Sequence, residues 1–253
     1  MTAPHLTLLT GASRGMGLAM ASQLLRAGHD LVCISRRAND TLAAQATEAG
    51  VALEQWTMDL TQPEAAADRL AQWLKARGPT GLQSVTLINN AGVIPRLAPL
   101  GEIDSADLAH ALRVGLEAPM LLSGAFLRAT KDWACTRKIL NISSGLSRRA
   151  MASSAAYCAA KAGMDHFTRC MALEEALVPN GARVCSLAPG VIDTDMQVQL
   201  RGADAHKFPD VGGFISLKTQ GHLASPEAAA ARVLAYLARA DFGSQPSADV
   251  REA

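Results

Sequence analysis

Cysteine is present in this chain only as an odd, scattered set: Cys33, Cys135, Cys158, Cys170 and Cys185, with no C-x-x-C among them. Neither a disulfide framework nor a zinc knuckle is indicated, and a reduced, cytoplasmic setting is expected. An excess of either charge is also missing. Lys and Arg number 24, Asp and Glu 23, and the formal net charge is +1. Nothing global therefore attracts nucleic acid or an anionic membrane. No uninterrupted apolar run reaches the roughly 18 residues of a membrane span. The opening residues MTAPHLTLLTG lack a basic n-region, so no secretory signal is expected. The six histidines have no ligand spacing, and no metal is assigned.

What the chain does have is apolar bulk. Hydrophobic residues make up 49% and charged residues 19% of 253 positions, which suits a compact protein with a substantial core. Apolar runs of strand character alternate with amphipathic segments. Leu6–Leu9, Leu31–Ile34, Val51–Met58, Ser84–Ile88, Ile139–Ile142 and Ala182–Ala188 read as strands, with helices between them. Alternation at roughly 25–30 residues per unit predicts an α/β, doubly wound parallel sheet. Right-handed crossovers then bring the strand C-termini to one edge. We expect a single domain over 1–253.

Four features of that edge carry chemistry. The first strand breaks into Thr10-Gly11-Ala12-Ser13-Arg14-Gly15-Met16-Gly17 and a helix, the order that points backbone N–H groups and a helix N-terminus at a pyrophosphate. The second strand ends in Ser35-Arg36-Arg37. An acid there would take the adenosine ribose hydroxyls of NAD. Its absence, with Arg14 and Arg36 available as guanidinium forks for a 2′-phosphate, predicts NADP(H). The third strand ends at Asp59-Leu60, where the carboxylate suits an adenine amino group or a helix cap. The fourth ends in Asn89-Asn90-Ala91-Gly92, asparagines able to tie strand ends together and small residues that leave room for a flat ligand.

The catalytic candidates lie in 141–163. Tyr157 and Lys161 share a helix face at i,i+4. An ammonium beside a phenol favours phenolate, so a lowered Tyr157 pKa is expected. Ser144, after the fifth strand, is placed to hold a carbonyl oxygen next to that phenol.

TGASRGMG, NNAG, ISS, Y-C-A-A-K and Pro189-Gly190, in that order and spacing, resemble the short-chain dehydrogenase/reductase family from about residue 5 to 240. The resemblance implies a Rossmann-type core of six or seven parallel strands, a homodimer or homotetramer, and hydride transfer between a nicotinamide and a carbinol carbon. By motif, Tyr157 is the general acid/base, Lys161 its partner and a ribose ligand, and Ser144 the donor to the carbonyl oxygen. Cofactor contact is implied for Gly11, Ser13, Arg14, Gly15, Met16, Gly17, Arg36, Asp59, Leu60, Asn89, Ala91, Gly92, Tyr157, Lys161, Pro189, Gly190, Ile192 and Thr194, and Ser143 is structural. One departure stands out: the asparagine expected in a V-N-L-like setting is Gly115, in Arg113-Val114-Gly115-Leu116. A water filling its place would keep a proton relay. The alternative is a non-catalytic NADP-binding sensor or interaction protein.

Residues 191–225 form a long segment expected to act as a substrate lid, with Gly212-Gly213 as a hinge. Ser225 and Pro226 should cap and open a last helix, and Ala248–Arg251 an edge strand. The Val191–Met196 wording and the Asp-Val-Arg-Glu end resemble, more loosely, the branch that holds sepiapterin reductase and bacterial benzil reductases. That implies ketone or dicarbonyl substrates, aromatic or apolar. Arg96, Arg148 and Arg149 are placed near the mouth.

Overall fold

The computed structural model describes residues 4–252. Met1–Ala3 and Ala253, included in the expected domain, lie outside the described residues. Seven strands form one all-parallel sheet in the order β3-β2-β1-β4-β5-β6-β7. They are β1 (His5–Thr10), β2 (Asp30–Ser35), β3 (Leu53–Thr57), β4 (Ser84–Asn89), β5 (Thr136–Ile142), β6 (Arg183–Ala188) and β7 (Ser247–Asp249). This is the Rossmann-type arrangement expected.

Strand parity divides the core. Leu6 and Leu8 face one side with Val32, Ile34, Val85 and Leu87. Leu9 faces the other with Leu31, Cys33, Ile88 and Leu140. Strands buried on both faces read as continuous apolar runs, which is why they were visible as such. Helices α1 (Gly15–Arg26), α2 (Asp40–Ala49) and α9 (Pro226–Ala238) cover the second side. The first is covered by α3 (Pro63–Arg77), α5 (Ala118–Ala129) and the long α6 (Ala155–Ala176). Helix α4 (Ser105–Leu112) runs into α5 through a five-residue π-turn, Arg113–Glu117.

Two features of the last third differ from expectation. Gly212 and Gly213, expected as a hinge in a loop, lie in a helix. They sit in the first turns of α8 (Val211–Thr219), and neither uses the left-handed backbone that would single out glycine. Helix α8 forms with α7 (Asp195–Arg201) over a small apolar core of Leu97, Met151, Leu200 and Phe208, with Phe214 stacked on Phe208 at 5.6 Å. β7 begins one residue earlier than expected. The Pro246 carbonyl accepts the Ser186 N–H at 2.9 Å, so the proline sits where its missing donor is not needed. Ser225 does cap α9, accepting from the Ala228 N–H at 3.1 Å.

Candidate active site

The sheet order reverses between β1 and β4, and there the strand C-termini open a crevice. A cavity of about 1210 Å³ runs along this edge. That exceeds the roughly 300–1,000 Å³ of a pocket for one small ligand.

One end is made of backbone. Gly11 (φ +71°) turns the chain out of β1, and its N–H is tied to the Ile34 carbonyl at 2.8 Å. The Ser35 hydroxyl accepts the Ala12 N–H at 2.9 Å. A side chain on Gly11 would come within 2.9 Å of the Ala91 Cα, and one on Gly17 would strike the Gly11 carbonyl oxygen. The loop thus lies flat against the β4 end, which Asn90 pins by donating to the Thr10 and Gly11 carbonyls at 3.0 and 3.2 Å. Arg14 precedes α1 without capping it by side chain, so the first N–H groups of α1 are left facing the cavity. A backbone cradle of this kind fits a pyrophosphate.

The charges at this end stand in water. Arg14 donates to Asp195 of α7 at 2.6 Å. Exposed Arg36 lines the cavity and has no ion-pair partner among the described residues, whereas Arg37 is not in the lining. Asp59 also lines it. The Thr61 N–H, donating at 3.0 Å, holds the Asp59 carboxyl below its usual range.

The other end is made of buried side chains. Ser144 follows β5, and its oxygen accepts the Leu146 N–H at 3.1 Å, which leaves its own proton to give. Tyr157 is half-buried in the first turns of α6. Lys161, one turn on, is 4% exposed. Its ammonium donates to the Ile142 carbonyl at 2.6 Å and lies 5.8 Å from the Tyr157 ring centre. Burial pushes the Tyr157 phenol up, opposed by the adjacent Ser144 hydroxyl, and pulls Lys161 down to about 8. This corrects the expectation of a lowered Tyr157 pKa. The ammonium points at the end of β5, and loss of solvent dominates.

Every expected site residue lines the cavity except Asn89. Asn89 is 1% exposed and turned inward, donating to Asn141 at 2.8 Å and Ser123 at 3.2 Å. It ties β4 to β5 as anticipated, while its neighbour Asn90 takes the place in the lining. Successive residues at a strand end face opposite ways. Arg96 is also outside the lining, with its guanidinium donating to the Glu102 carbonyl at 3.2 Å. Gly115 packs its bare backbone toward α6. A Cβ there would meet the Ala160 Cβ at 3.1 Å, so the glycine lets the π-turn approach α6.

Residues 5–205 match the short chain dehydrogenase family. The chain belongs to that family. It is 33% identical over 235 residues to the benzil reductase ((S)-benzoin forming) of Bacillus cereus, covering 93% of this chain and 94% of the relative. Sepiapterin reductase of Meriones unguiculatus is 31% identical over 255 residues, covering 96% and 94%. A structure from Beutenbergia cavernae, solved with NADP bound at low occupancy, superposes with a TM-score of 0.81 at 30% identity, covering 98% of this chain and 95% of that one.

In this short-chain dehydrogenase the lining also includes residues beyond the expected cofactor and catalytic set, among them apolar residues of the expected lid and Arg148, expected near the mouth. Ile94, Leu146, Met196, Leu200, Phe214 and Leu217 make the wall beyond Tyr157 apolar. Gln197 is 6% exposed, and its side-chain oxygen has no hydrogen-bond partner among the described residues. Arg148 and Arg251 both pair with Asp249, at 3.2 and 2.6 Å. His110 joins from α4. The apolar content of 191–225 was the signal for the part of the wall that α7 and α8 supply. Nothing in the local sequence marked Gln197 or His110.

Proposed function

We propose that this protein is an NADPH-dependent carbonyl reductase that converts an aromatic or apolar ketone or dicarbonyl to the alcohol. The observation that carries the reading is the convergence of the Ser144 hydroxyl, the Tyr157 phenol and the Lys161 ammonium at one end of a cavity whose other end is a phosphate cradle. The NADP-bound relative and the benzil reductase likeness support it.

The glycine loop, Asn90, Ala91, Gly92 and the Pro189–Thr194 turn would hold the cofactor, with Arg36 and a share of Arg14 meeting its 2′-phosphate. Bound NADPH supplies the hydride. Ser144 donates a hydrogen bond to the substrate carbonyl oxygen and so fixes the carbonyl beside the phenol. Tyr157, kept protonated by burial, gives that oxygen its proton. Lys161 supplies positive charge next to the phenol as the proton leaves. The apolar wall from α7 and α8 excludes water and selects for uncharged rings. In this reading residues 191–225 are a lid on a single domain. An exposed apolar groove along α4, the π-turn and α5, lined by Leu112, Leu116 and Met120, suits the surface a second copy would cover in a cytoplasmic homo-oligomer.

The test is the loss of NADPH absorbance with a panel of diketones and aryl ketones, run in parallel with NADH. Turnover of apolar dicarbonyls with NADPH preferred supports the reading. Tight NADPH binding with no turnover on any carbonyl would overturn it in favour of a non-catalytic NADP-binding protein.

A further inference from the structure

Beneath the candidate catalytic residues lies a buried carboxyl group that the chemistry above does not use. Asp165 sits on α6 one turn beyond Lys161 and is 4% exposed. One carboxylate oxygen accepts from the Ser143 and Ser186 hydroxyls, each at 2.5 Å, and the other from the Ser247 hydroxyl at 3.4 Å. These serines come from three neighbouring strands: just past β5, within β6, and at the start of β7. Three hydroxyls around two oxygens suit an ionised carboxylate, which only accepts. Among the described residues no Arg, Lys or His side chain donates to it. Arg169 reaches only the Asp165 backbone carbonyl, at 3.3 Å. Burying a charge without a direct partner is expensive, so a reason for keeping it is called for.

We propose that Asp165 is a positioning residue of the reaction: its buried carboxylate keeps Lys161 charged and fixes the end of β5 that presents Ser144. The proposal rests on the reading of Lys161 and Ser144 as catalytic. Lys161 is on the same helix four residues before Asp165, where side chains are neighbours. Its ammonium is held by the Ile142 carbonyl, and Ser143 is the next residue along. One carboxylate therefore braces the short stretch Ile142-Ser143-Ser144 from below, while its charge acts on Lys161 from one turn away. It touches neither substrate nor cofactor.

The surroundings leave no other candidate for the electrostatic part. On α6 the titratable and charged neighbours are Tyr157 and Cys158, with His166 and Arg169 exposed beside Asp165; β6 contributes Cys185, and α9 contributes Tyr236 against Cys185. Burial holds Cys185 and Tyr236 neutral, pushed up to about 11 and about 12. On β7 the Asp249 carboxylate is taken by Arg148 and Arg251. His110 lies on the cavity wall. Burial lowers Lys161, and Asp165 is the neighbour that opposes the lowering.

The test is Asp165→Asn in the full chain, with the Lys161 side chain titrated by NMR in the free protein and kcat for carbonyl reduction followed against pH. The variant keeps the shape and an accepting oxygen but removes the charge. We expect the Lys161 midpoint to fall by about one unit or more, roughly a tenfold loss of the charged form on its alkaline side. The pH limb of kcat should move with it, while KM for the carbonyl stays within about twofold. A midpoint that stays in place, with activity lowered equally at every pH, would mean that the residue only packs, and the proposal fails. Should Asp165→Asn not fold, Lys161→Met gives the reciprocal measurement. Loss of the ammonium must raise the Asp165 carboxyl midpoint by a comparable amount, because coupling between two sites is mutual. An unmoved Asp165 midpoint overturns the proposal. A moved midpoint in a protein that turns over no carbonyl would instead sink the reductase reading and leave the coupling standing.

Discussion

At the glycine-loop end of the cavity the charged side chains stand in water, and at the Tyr157 end they are buried. Arg14 and Asp195 have side chains 68% and 72% exposed. Lys161 and Asp165 are each 4% exposed. At the first end the backbone does the holding, and exposed charges add a screened, adjustable preference. At the second, side chains hold one another, and burial moves the protonation of Tyr157 and Lys161. Cofactor choice should therefore respond mainly to salt and to single charges. Chemistry should respond mainly to pH and to anything that breaches the buried cluster.

The largest effect expected from this contrast is Tyr157→Phe. Losing the proton donor should lower kcat by roughly 10²–10⁴-fold, while NADPH affinity, set at the far end, stays within about threefold. Steady-state kinetics beside a cofactor titration measures both. A variant as active as the parent would remove Tyr157 from the mechanism and leave the buried end without an acid.

The next effect is on pH. Burial raises Tyr157, so its proton-donating form persists at neutral pH. Lys161 loses its charge as pH rises through about 8. Reduction needs both protons in place, so kcat for the carbonyl should fall above about pH 8. Oxidation of the product alcohol needs the phenol deprotonated, so it should gain relative to reduction as pH rises. Profiles in both directions, taken with saturating cofactor, would show the crossing. Two parallel profiles would mean that neither group is in play.

The same contrast explains what was legible in the sequence. The glycine loop, the parallel strands and the Ser225 cap depend on neighbours close in the chain, so local pattern exposed them. Tyr157 and Lys161 were visible through their spacing on one helix. Asp165 was not. An acid on an amphipathic helix reads as a solvated face, and its partners Ser143, Ser186 and Ser247 are brought together only by the sheet order. The direction of the Tyr157 shift depended on desolvation, which no spacing reveals. Asn89 and Asn90 were exchanged because which of two adjacent side chains faces the crevice depends on the last strand residue's orientation. Gly212 and Gly213 lie in a helix because the apolar contacts of Phe214 sustain it through both glycines.

A smaller effect is expected at the exposed end. Arg36→Ala removes the guanidinium that is unpaired among the described residues and lines the glycine-loop end of the cavity. NADPH should bind roughly tenfold more weakly, about 1.4 kcal/mol, with NADH nearly unchanged and kcat retained. Equal losses for the two cofactors would show that Arg36 does not read the 2′-phosphate.

The smallest effect is the most informative about how the two ends communicate. Asp195 belongs to α7, part of the apolar wall over Tyr157, yet its carboxylate holds Arg14 of the glycine loop at 2.6 Å. So exposed a pair is worth about 0.2–1 kcal/mol at most. In Asp195→Asn the Arg14 guanidinium is released toward the phosphates. NADPH should then bind about two- to fivefold more tightly at low salt, with less change for NADH and a steeper loss of affinity as salt rises. In an Arg14→Ala background the same substitution should do nothing, and that double-mutant cycle isolates the pair. If Asp195→Asn instead weakens NADPH and raises KM for the carbonyl together, the pair is holding α7 in place. The exposed end would then help to build the buried one, and the separation of the two would have to be given up.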